Sequence, residues 1–476
     1  MYCRPAEVRY YPAHASGAHV VGFSGDGVGL AGAESIYDIL LQPGELQAAD
    51  VPEIDFGGQE SFGGRGMDVV LSLDLELQKK IEQELGRMLE QQAADRGMAL
   101  AMEVRTGRIL AMVSLPSFNP NHFWQADDPA RRNQVVSEPL AEDLVRPLLA
   151  RAGAISSQGP FGPPLPPEAV AAPDLGLTAG DVAEAGARFG LRNPLPGRSS
   201  VCDTPSVFDT LPSVAVVGAA GQNNVAGQGI TLLKVAAAAS MINGGRRVEP
   251  VFLEAVYDRA TGRTYTRSES YDRKKRRQVV DPVLALRLRR ELLSTMQGSG
   301  TMAVYSRSGR RTEVKDQTRI TVLQDLVLGV TPRKNPQVLL LLVTSRDSYY
   351  PLPGEVDTRA RSLADLGMEL LPDILESSSQ TLVADHPAGR DEANYKRFLI
   401  ASHIEYREEK KKYAPLPREA MPEVVGLSLR KGLQRLDGKK ILVRIQGSGR
   451  IVGQRPGPGE PLAAGQECVL TLEPVI

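Results

Sequence analysis

The sequence predicts an α+β fold, in which amphipathic helices are mixed with strands that pair as hairpins. Asp74 is a good N-cap residue, and large aliphatic side chains recur behind it on one helical face. These side chains are Leu77, Ile81, Leu85 and Leu89. Apolar runs on either side of the turn at 105–108 predict a hairpin, and the apolar run at 338–343 fits a buried strand.

Composition bounds the possible functions of the chain. Its 476 residues are 42% hydrophobic, which is enough for a core and for roughly two to four structural units. The 56 basic and 57 acidic side chains give a net charge of -1, so no overall field favours nucleic acid or membrane. Cys3, Cys202 and Cys468 have no metal-ligand or disulfide spacing, and no cofactor is predicted. No apolar run approaches the ~20 residues of a transmembrane helix, and no signal peptide is predicted.

Local signals predict several further elements. Thr231 is an N-cap candidate for an alanine-rich helix that ends at 243–245, and Asp281 precedes a proline in the first turn of another helix. The predicted buried stripe of that second helix is Leu284, Leu288 and Leu292. Residues 20–37 are interpreted as a short strand, a glycine turn and a helix of roughly ten residues. The basic run at 273–277 favours a solvated loop, although its composition also allows nucleic-acid binding.

Several stretches resemble class B penicillin-binding proteins of the division and sporulation type. The stretches that carry the resemblance are 106–112, 116–121, 227–231 with 243–245, and 298–301. The resemblance implies a transpeptidase domain in which an antiparallel sheet has helices on both faces. It also implies D,D-transpeptidase chemistry, in which a serine attacks the acyl donor and a lysine takes its proton.

The first active-site motif of that family has other residues at its reactive positions. The family pattern is Glu-Pro-Gly-Ser-x-x-Lys, and here Glu138 and Pro139 are followed by Leu140, Ala141 and Leu144 at the Gly, Ser and Lys positions. Ala141 and Leu144 can neither attack a carbonyl nor accept a proton. The sequence therefore predicts no catalytic residue.

The other two motifs are weak. Ser156-Ser157-Gln158 is a loose match to the Ser-x-Asn motif, and Ser117-Phe118-Asn119 precedes the nucleophile position and is not expected to act as that motif. For the third motif, the resemblance places Arg307, Ser308 and Gly309 at Lys-Thr-Gly and assigns them to substrate binding. An exposed edge of a sheet is the alternative interpretation of these three residues.

The C-terminal residues read as a small separate unit. Ser428 is a predicted N-cap, and a Gly-Pro-Gly turn lies at 457–459. The pattern resembles a PASTA domain with βαβββ order, which implies peptidoglycan or a muropeptide as its ligand. The predicted organisation is a remnant of the N-terminal pedestal at 1–66, a transpeptidase-like domain at 67–375, a linker at 376–420 and the PASTA domain at 421–476.

These observations lead to three functional hypotheses. The first is a catalytically impaired homologue that acts in peptidoglycan synthesis or cell division as a binding or scaffold module. It would act at the extracytoplasmic face of the membrane, with cell-division proteins as possible partners. The second is an active D,D-transpeptidase that binds penicillin and cross-links stem peptides. The third is a decayed gene without function.

Overall fold

The computed structural model describes residues 9–163, 230–348, 362–379 and 421–473, with gaps at 26, 65, 259, 299, 316–317, 437–438, 440, 448 and 463–465. The chain divides into two compact units, Met1–Asn121 with Asp128–Arg390, and His122–Asp127 with Asp391–Ile476. Among the described residues, no helix combines the length and apolarity that crossing a bilayer requires.

Short elements make up the N-terminal part of the first unit. They are α1 (Ala18–Val21), β1 (Phe23–Gly25), β2 (Val28–Ala31), α2 (Gly32–Ile36), α3 (Asp38–Leu41), β3 (Gly44–Gln47) and β4 (Ser61–Gly64). The predicted strand at Val20 is therefore helical, and a strand follows at Phe23–Gly25. The predicted helix of roughly ten residues begins as strand β2, and only Gly32–Ile36 is helical before Tyr37, whose φ of -106° and ψ of 23° leave the helical region. Val20, Tyr37 and Leu40 pack into the same core as the residues that follow, so residue 66 does not separate two compact bodies.

The remaining helices and strands of the first unit follow in chain order. They are β5 (Asp68–Leu71), α4 (Leu75–Gln92), β6 (Arg96–Glu103), β7 (Ile109–Leu115), α5 (Asp128–Arg131), α6 (Gln134–Ser137), α7 (Glu142–Gln158), α8 (Leu232–Ala239), β8 (Arg246–Arg247), β9 (Leu253–Asp258), β10 (Arg263–Thr266), α9 (Glu269–Lys275), β11 (Arg277–Gln278), α10 (Pro282–Ser294), β12 (Ala303–Lys315), β13 (Thr318–Thr331), β14 (Val338–Ser348) and α11 (Leu363–Ser379).

A five-stranded antiparallel sheet, in the order β12-β13-β14-β6-β7, forms the centre of this unit. Alternate residues of β14 face opposite sides, as the pleat requires. Leu339 and Leu341 pack in the core that contains α7 and α8, whereas Leu340 and Leu342 pack against α4 and α11. The predicted α+β fold, an antiparallel sheet with helices on both faces, is confirmed.

The predicted N-caps of three helices are confirmed. Asp74 accepts the amide of Leu77 at 3.1 Å, Thr231 accepts that of Lys234 at 3.5 Å, and Asp281 accepts two amides of the first turn of α10. Each bond satisfies a donor that the helix itself leaves unpaired. Caps could be predicted because each one depends on residues two or three positions apart.

Two predictions around α9 and α10 were wrong. The basic run at 273–277 is mostly helical rather than a loop, because Ser268 caps α9 through the amide of Tyr271. In α10 the buried face includes Arg287 and Glu291, which form a 2.7 Å ion pair, whereas Leu284 and Leu292 are only partly buried. The guanidinium of Arg287 also donates to Gln158 at the end of α7, so the helix packs through a polar contact.

The predicted linker begins too early. Helix α11 continues to Ser379, past the predicted linker start at 376. Ser377 is buried on the same helical face as Leu370 and Ile374, because α11 packs on the central sheet. The predicted linker residues from 380 to 420 lie outside the described part of the chain.

The C-terminal unit contains one helix and a three-stranded sheet. They are α12 (Leu429–Leu436), β15 (Leu442–Gly447), β16 (Arg450–Arg455) and β17 (Glu467–Glu473). The sheet order is β15-β17-β16, with β15 parallel and β16 antiparallel to β17. In place of the first strand of the predicted βαβββ order, the described residues show one isolated bridge between Ser428 and Arg450. Ile451, Cys468 and Leu470 form the centre of its core.

Candidate functional site

The segment that carries the first motif leads from α6 into α7. Asn133 caps α6 by accepting the amide of Val135 at 3.1 Å. The chain then runs extended, and the amide of Leu140 donates to the carbonyl of Ile230 at 2.7 Å. Ala141 is the residue before α7, so it and Leu144 lie at the start of the helix that packs on β12.

The predicted serine and lysine positions lie directly against the third motif. A Cβ atom built on Gly309 of β12 would be 3.0 Å from Cγ of Leu144 and 3.3 Å from Cβ of Ala141. The side chains leave almost no surface exposed, with Ala141 at 1% and Leu144 at 0%. The fold therefore brings the two motifs together, but the contact between them is apolar and closed.

Arg307 contacts the backbone of the same helix. Pro147 lies inside α7 and has no N–H, so the carbonyl of Asp143, four residues earlier, lacks its usual helical donor. The Nε of Arg307 donates to that carbonyl at 2.9 Å. At least one donor of the cation predicted to bind substrate is therefore engaged in completing a helix.

The hydroxyl groups of the site are also engaged. Tyr305 donates to the carbonyl of Leu144 at 3.0 Å, and burial raises the pKa of this phenol to about 12. A phenol with that pKa stays protonated at neutral pH and is poorly suited to act as a general base. Ser308 donates to the carboxylate of Asp325, and Ser137 donates to the carbonyl of Asn133 at 2.7 Å.

Glu138 fixes the start of the motif to the sheet. Its carboxylate pairs with the guanidinium of Arg311 on β12 and lies 3.5 Å from that of Arg96 on β6. Arg96 in turn pairs with Asp347 of β14 at 2.7 Å. Ion pairs that involve β12, β6 and β14 thus hold Glu138, which lies three residues before the predicted nucleophile position.

Gln324 is a site residue that the sequence reasoning missed. It lies on β13 opposite Gly309 and is 1% exposed. Its Oε1 accepts the amide of Ala141 at 2.7 Å, and its Nε2 donates to the carbonyl of Pro139 at 3.4 Å and to Ser345 Oγ at 3.2 Å. The only sequence signal for it was the pair Gln324-Asp325, which interrupts the apolar run at 322–330.

The weak matches to the second motif have structural contacts of their own. Ser156 and Ser157 form the last turn of α7 and donate to carbonyls of that helix at 2.7 and 2.8 Å. They lie about 22 Å along the helix from Ala141, too far to share a site with it. Ser117 donates to the carbonyl of Ala15 at 2.8 Å. Residues 227–229, part of a further family stretch, lie outside the described residues.

Comparison with known proteins agrees with this architecture. The PASTA domain family matches residues 419–474. A probable peptidoglycan D,D-transpeptidase, PenA, of Neisseria gonorrhoeae is 33% identical over 143 residues, which cover 28% of this chain and 24% of that protein. The peptidoglycan D,D-transpeptidase FtsI of Escherichia coli is 32% identical over 146 residues, covering 29% and 24%. Each match thus spans about a quarter of the curated relative.

Solved structures support the fold over a longer stretch. Penicillin-binding protein 3 of Mycobacterium tuberculosis, complexed with ampicillin, matches with a TM-score of 0.54 at 19% identity, covering 78% of this chain and 89% of that one. A peptidoglycan synthetase of Bifidobacterium adolescentis matches with a TM-score of 0.52 at 18% identity, covering 78% and 73%.

The first unit, with its central sheet and the helix that starts against the edge strand, therefore has a fold similar to that of these two proteins. In sequence, the chain is similar to peptidoglycan D,D-transpeptidases over a little more than a quarter of its length. Residues 419–474 match the PASTA domain family.

Proposed function

We propose that this chain is a catalytically impaired penicillin-binding-protein homologue that serves peptidoglycan synthesis or cell division as a binding or scaffold module. The observation that carries the proposal is the contact of Ala141 and Leu144 with Gly309. Acyl transfer needs a nucleophile and a base within hydrogen-bond reach, and these two positions supply neither. In an unrelated serine hydrolase, loss of the nucleophile lowers the rate about a million-fold.

The test is the intact mass of the full chain after incubation with benzylpenicillin, beside an acylation-competent penicillin-binding protein. We expect no mass gain in this chain and one acyl group on the control. A stoichiometric gain would overturn the proposal, and peptide mapping would then locate the serine. Ser137 and Ser308 are the hydroxyls to examine first, because Ser137 directly precedes the first motif and Ser308 lies within the third.

The same proposal assigns peptidoglycan or a muropeptide to the PASTA domain. The family match at 419–474 supports this assignment. A peptidoglycan ligand implies that the chain acts at the extracytoplasmic face of the membrane. Co-sedimentation of the full chain with purified sacculi, with soluble muropeptide as competitor, tests the assignment. Binding that the competitor displaces is expected; a chain that stays in the supernatant contradicts this part of the proposal. Cell-division proteins remain candidate partners.

An active D,D-transpeptidase is the competing function, favoured by the names of the relatives PenA and FtsI. It requires a nucleophile other than residue 141. The penicillin experiment separates the two functions directly, because an active enzyme of this type would form an acyl-serine. Arg307, Ser308 and Gly309 remain candidates for substrate binding under either function.

A further inference from the structure

We infer that Gln324 is a positioning residue that closes the acyl-transfer site, by occupying the backbone donor at residue 141 that a reacting acyl group would need. The inference rests on the proposed loss of catalysis and names the side chain that keeps the site closed. It concerns the backbone of the site, and so it is separate from the missing serine and lysine.

The chemistry of acyl transfer explains why this donor matters. When a serine attacks a carbonyl, the carbonyl oxygen becomes negative and must be stabilised by backbone N–H groups, commonly including that of the nucleophile itself. At residue 141 this N–H donates to Oε1 of Gln324 at 2.7 Å. A donor already bonded to a buried amide cannot stabilise an oxyanion unless that bond breaks.

The position of Gln324 makes that bond hard to break. The side chain is 1% exposed, and its Nε2 is held by Pro139 and Ser345. Together, Oε1 and Nε2 pair with the amide of Ala141 and the carbonyl of Pro139, much as a neighbouring strand would. Rotating the side chain away would break these hydrogen bonds of buried polar groups, which is unfavourable because no water replaces them.

A buried glutamine of helix α4 that pairs with the other edge of the sheet provides a control. Gln78 is also 1% exposed, and it accepts the amide of Met112 at 2.8 Å and donates to the carbonyl of Met112 at 2.9 Å. It pairs with β7, at the opposite edge of the central sheet from β12. Gln78→Leu therefore removes the same kind of buried bond without touching residue 141.

The experiment compares acylation by benzylpenicillin in four full-length proteins. The first two are the natural chain and a double variant that carries Ala141→Ser and Leu144→Lys. The other two are the double variant with Gln324→Leu added and the double variant with Gln78→Leu added. In an acylated variant, the introduced hydroxyl oxygen bonds to the lactam carbonyl carbon and the lactam C–N bond breaks. The hydroxyl proton passes through the introduced amine to the lactam nitrogen.

We expect the variant with Gln324→Leu to acylate at least about 100-fold faster than the double variant, the effect of one oxyanion donor. The variant with Gln78→Leu should react no faster than the double variant. A double variant as fast as the Gln324 variant would overturn the inference, and so would a Gln324 variant that stays unmodified.

Two readouts keep these outcomes interpretable. Acylation of the natural chain would contradict the proposed function itself, separately from the role of Gln324. Hydrogen exchange at the amide of residue 141 tests the bond in a folded single variant. Gln324→Leu should accelerate that exchange and Gln78→Leu should not; unchanged protection in Gln324→Leu would also overturn the inference.

Discussion

The Nε of Arg307 on β12 donates to the carbonyl of Asp143 in α7 at 2.9 Å, and this is the carbonyl that Pro147 leaves without a helical donor. The residue at the lysine position of the third motif thus contributes a hydrogen bond to the helix that carries the first motif. The relationship between Arg307 and Pro147 can be tested, because neither residue contributes to the hydrophobic core.

We expect Arg307→Met to lower the free energy of unfolding by about 1 kcal/mol, the typical value of one hydrogen bond. In a Pro147→Ala background the cost should fall towards zero, since the new backbone N–H can donate to Asp143 instead. Urea unfolding of the two single variants and the double variant gives the coupling energy. An equal cost of Arg307→Met in both backgrounds would contradict the assigned role.

The contact between Leu144 and Gly309 predicts a second coupling. Leu144→Ala should cost about 2–5 kcal/mol because it opens a cavity in a closed contact. Gly309→Ala should cost about 1–3 kcal/mol, since the added methyl group would lie 3.0 Å from Leu144. The double variant should lose less stability than the sum, because the methyl group fills part of the cavity.

Gly329 supplies the control for that cycle. A Cβ atom at Gly329 would lie 3.0 Å from Leu371, in the packing of α11. Gly329→Ala should therefore add independently to Leu144→Ala in denaturant unfolding. If Gly309→Ala adds just as independently, the closed contact described at the site is wrong.

Features that depend on neighbouring residues could be predicted, and features that depend on distant contacts could not. Asp74 caps α4 through amides two and three residues away, and the sequence was sufficient to predict this. Ser377 looked like the start of a linker because only packing on the sheet reveals that it is buried. Gln324 was missed because its partner at residue 141 is 183 positions away.

The site itself was predicted in part. The resemblance assigned residues 141 and 144 to the first active-site motif and residue 309 to the third, and the fold brings these residues into contact. The resemblance could not indicate that Arg307 contacts α7, because this contact depends on a proline that lies inside the helix. Helix α7 contains Pro147 and continues to Gln158.

The ion pair of Glu138 predicts a third stability effect. Glu138→Gln should cost about 3 kcal/mol, because it leaves the largely buried guanidinium of Arg311 without this charged partner. Glu313→Gln removes the other carboxylate that pairs with Arg311, but this side chain is 32% exposed. It should cost less than about 1 kcal/mol. Denaturant unfolding curves measure the loss of stability in the two variants, and equal losses would contradict the anchoring role of Glu138.

His19 predicts the response of the chain to acid. Its ring is buried edge-on against Phe118 with centroids 5.1 Å apart, and its Nε2 lies 2.7 Å from the carbonyl of Ala130. Burial disfavours the charged ring and lowers the pKa of His19 from 6.5 to about 4. The unfolded chain therefore binds this proton more readily, and stability falls as the pH drops from about 6.5 towards 4.

Between pH 7 and pH 5, this one group should remove about 2 kcal/mol from the free energy of unfolding. His19→Gln keeps a donor for Ala130 but cannot be protonated, so its stability should change less over the same interval. The difference between the two urea-unfolding profiles isolates His19 from the other titrating groups. Parallel profiles would show that the ring is charged or accessible in the folded chain, which would contradict its burial between α1 and the segment that leads to the candidate site.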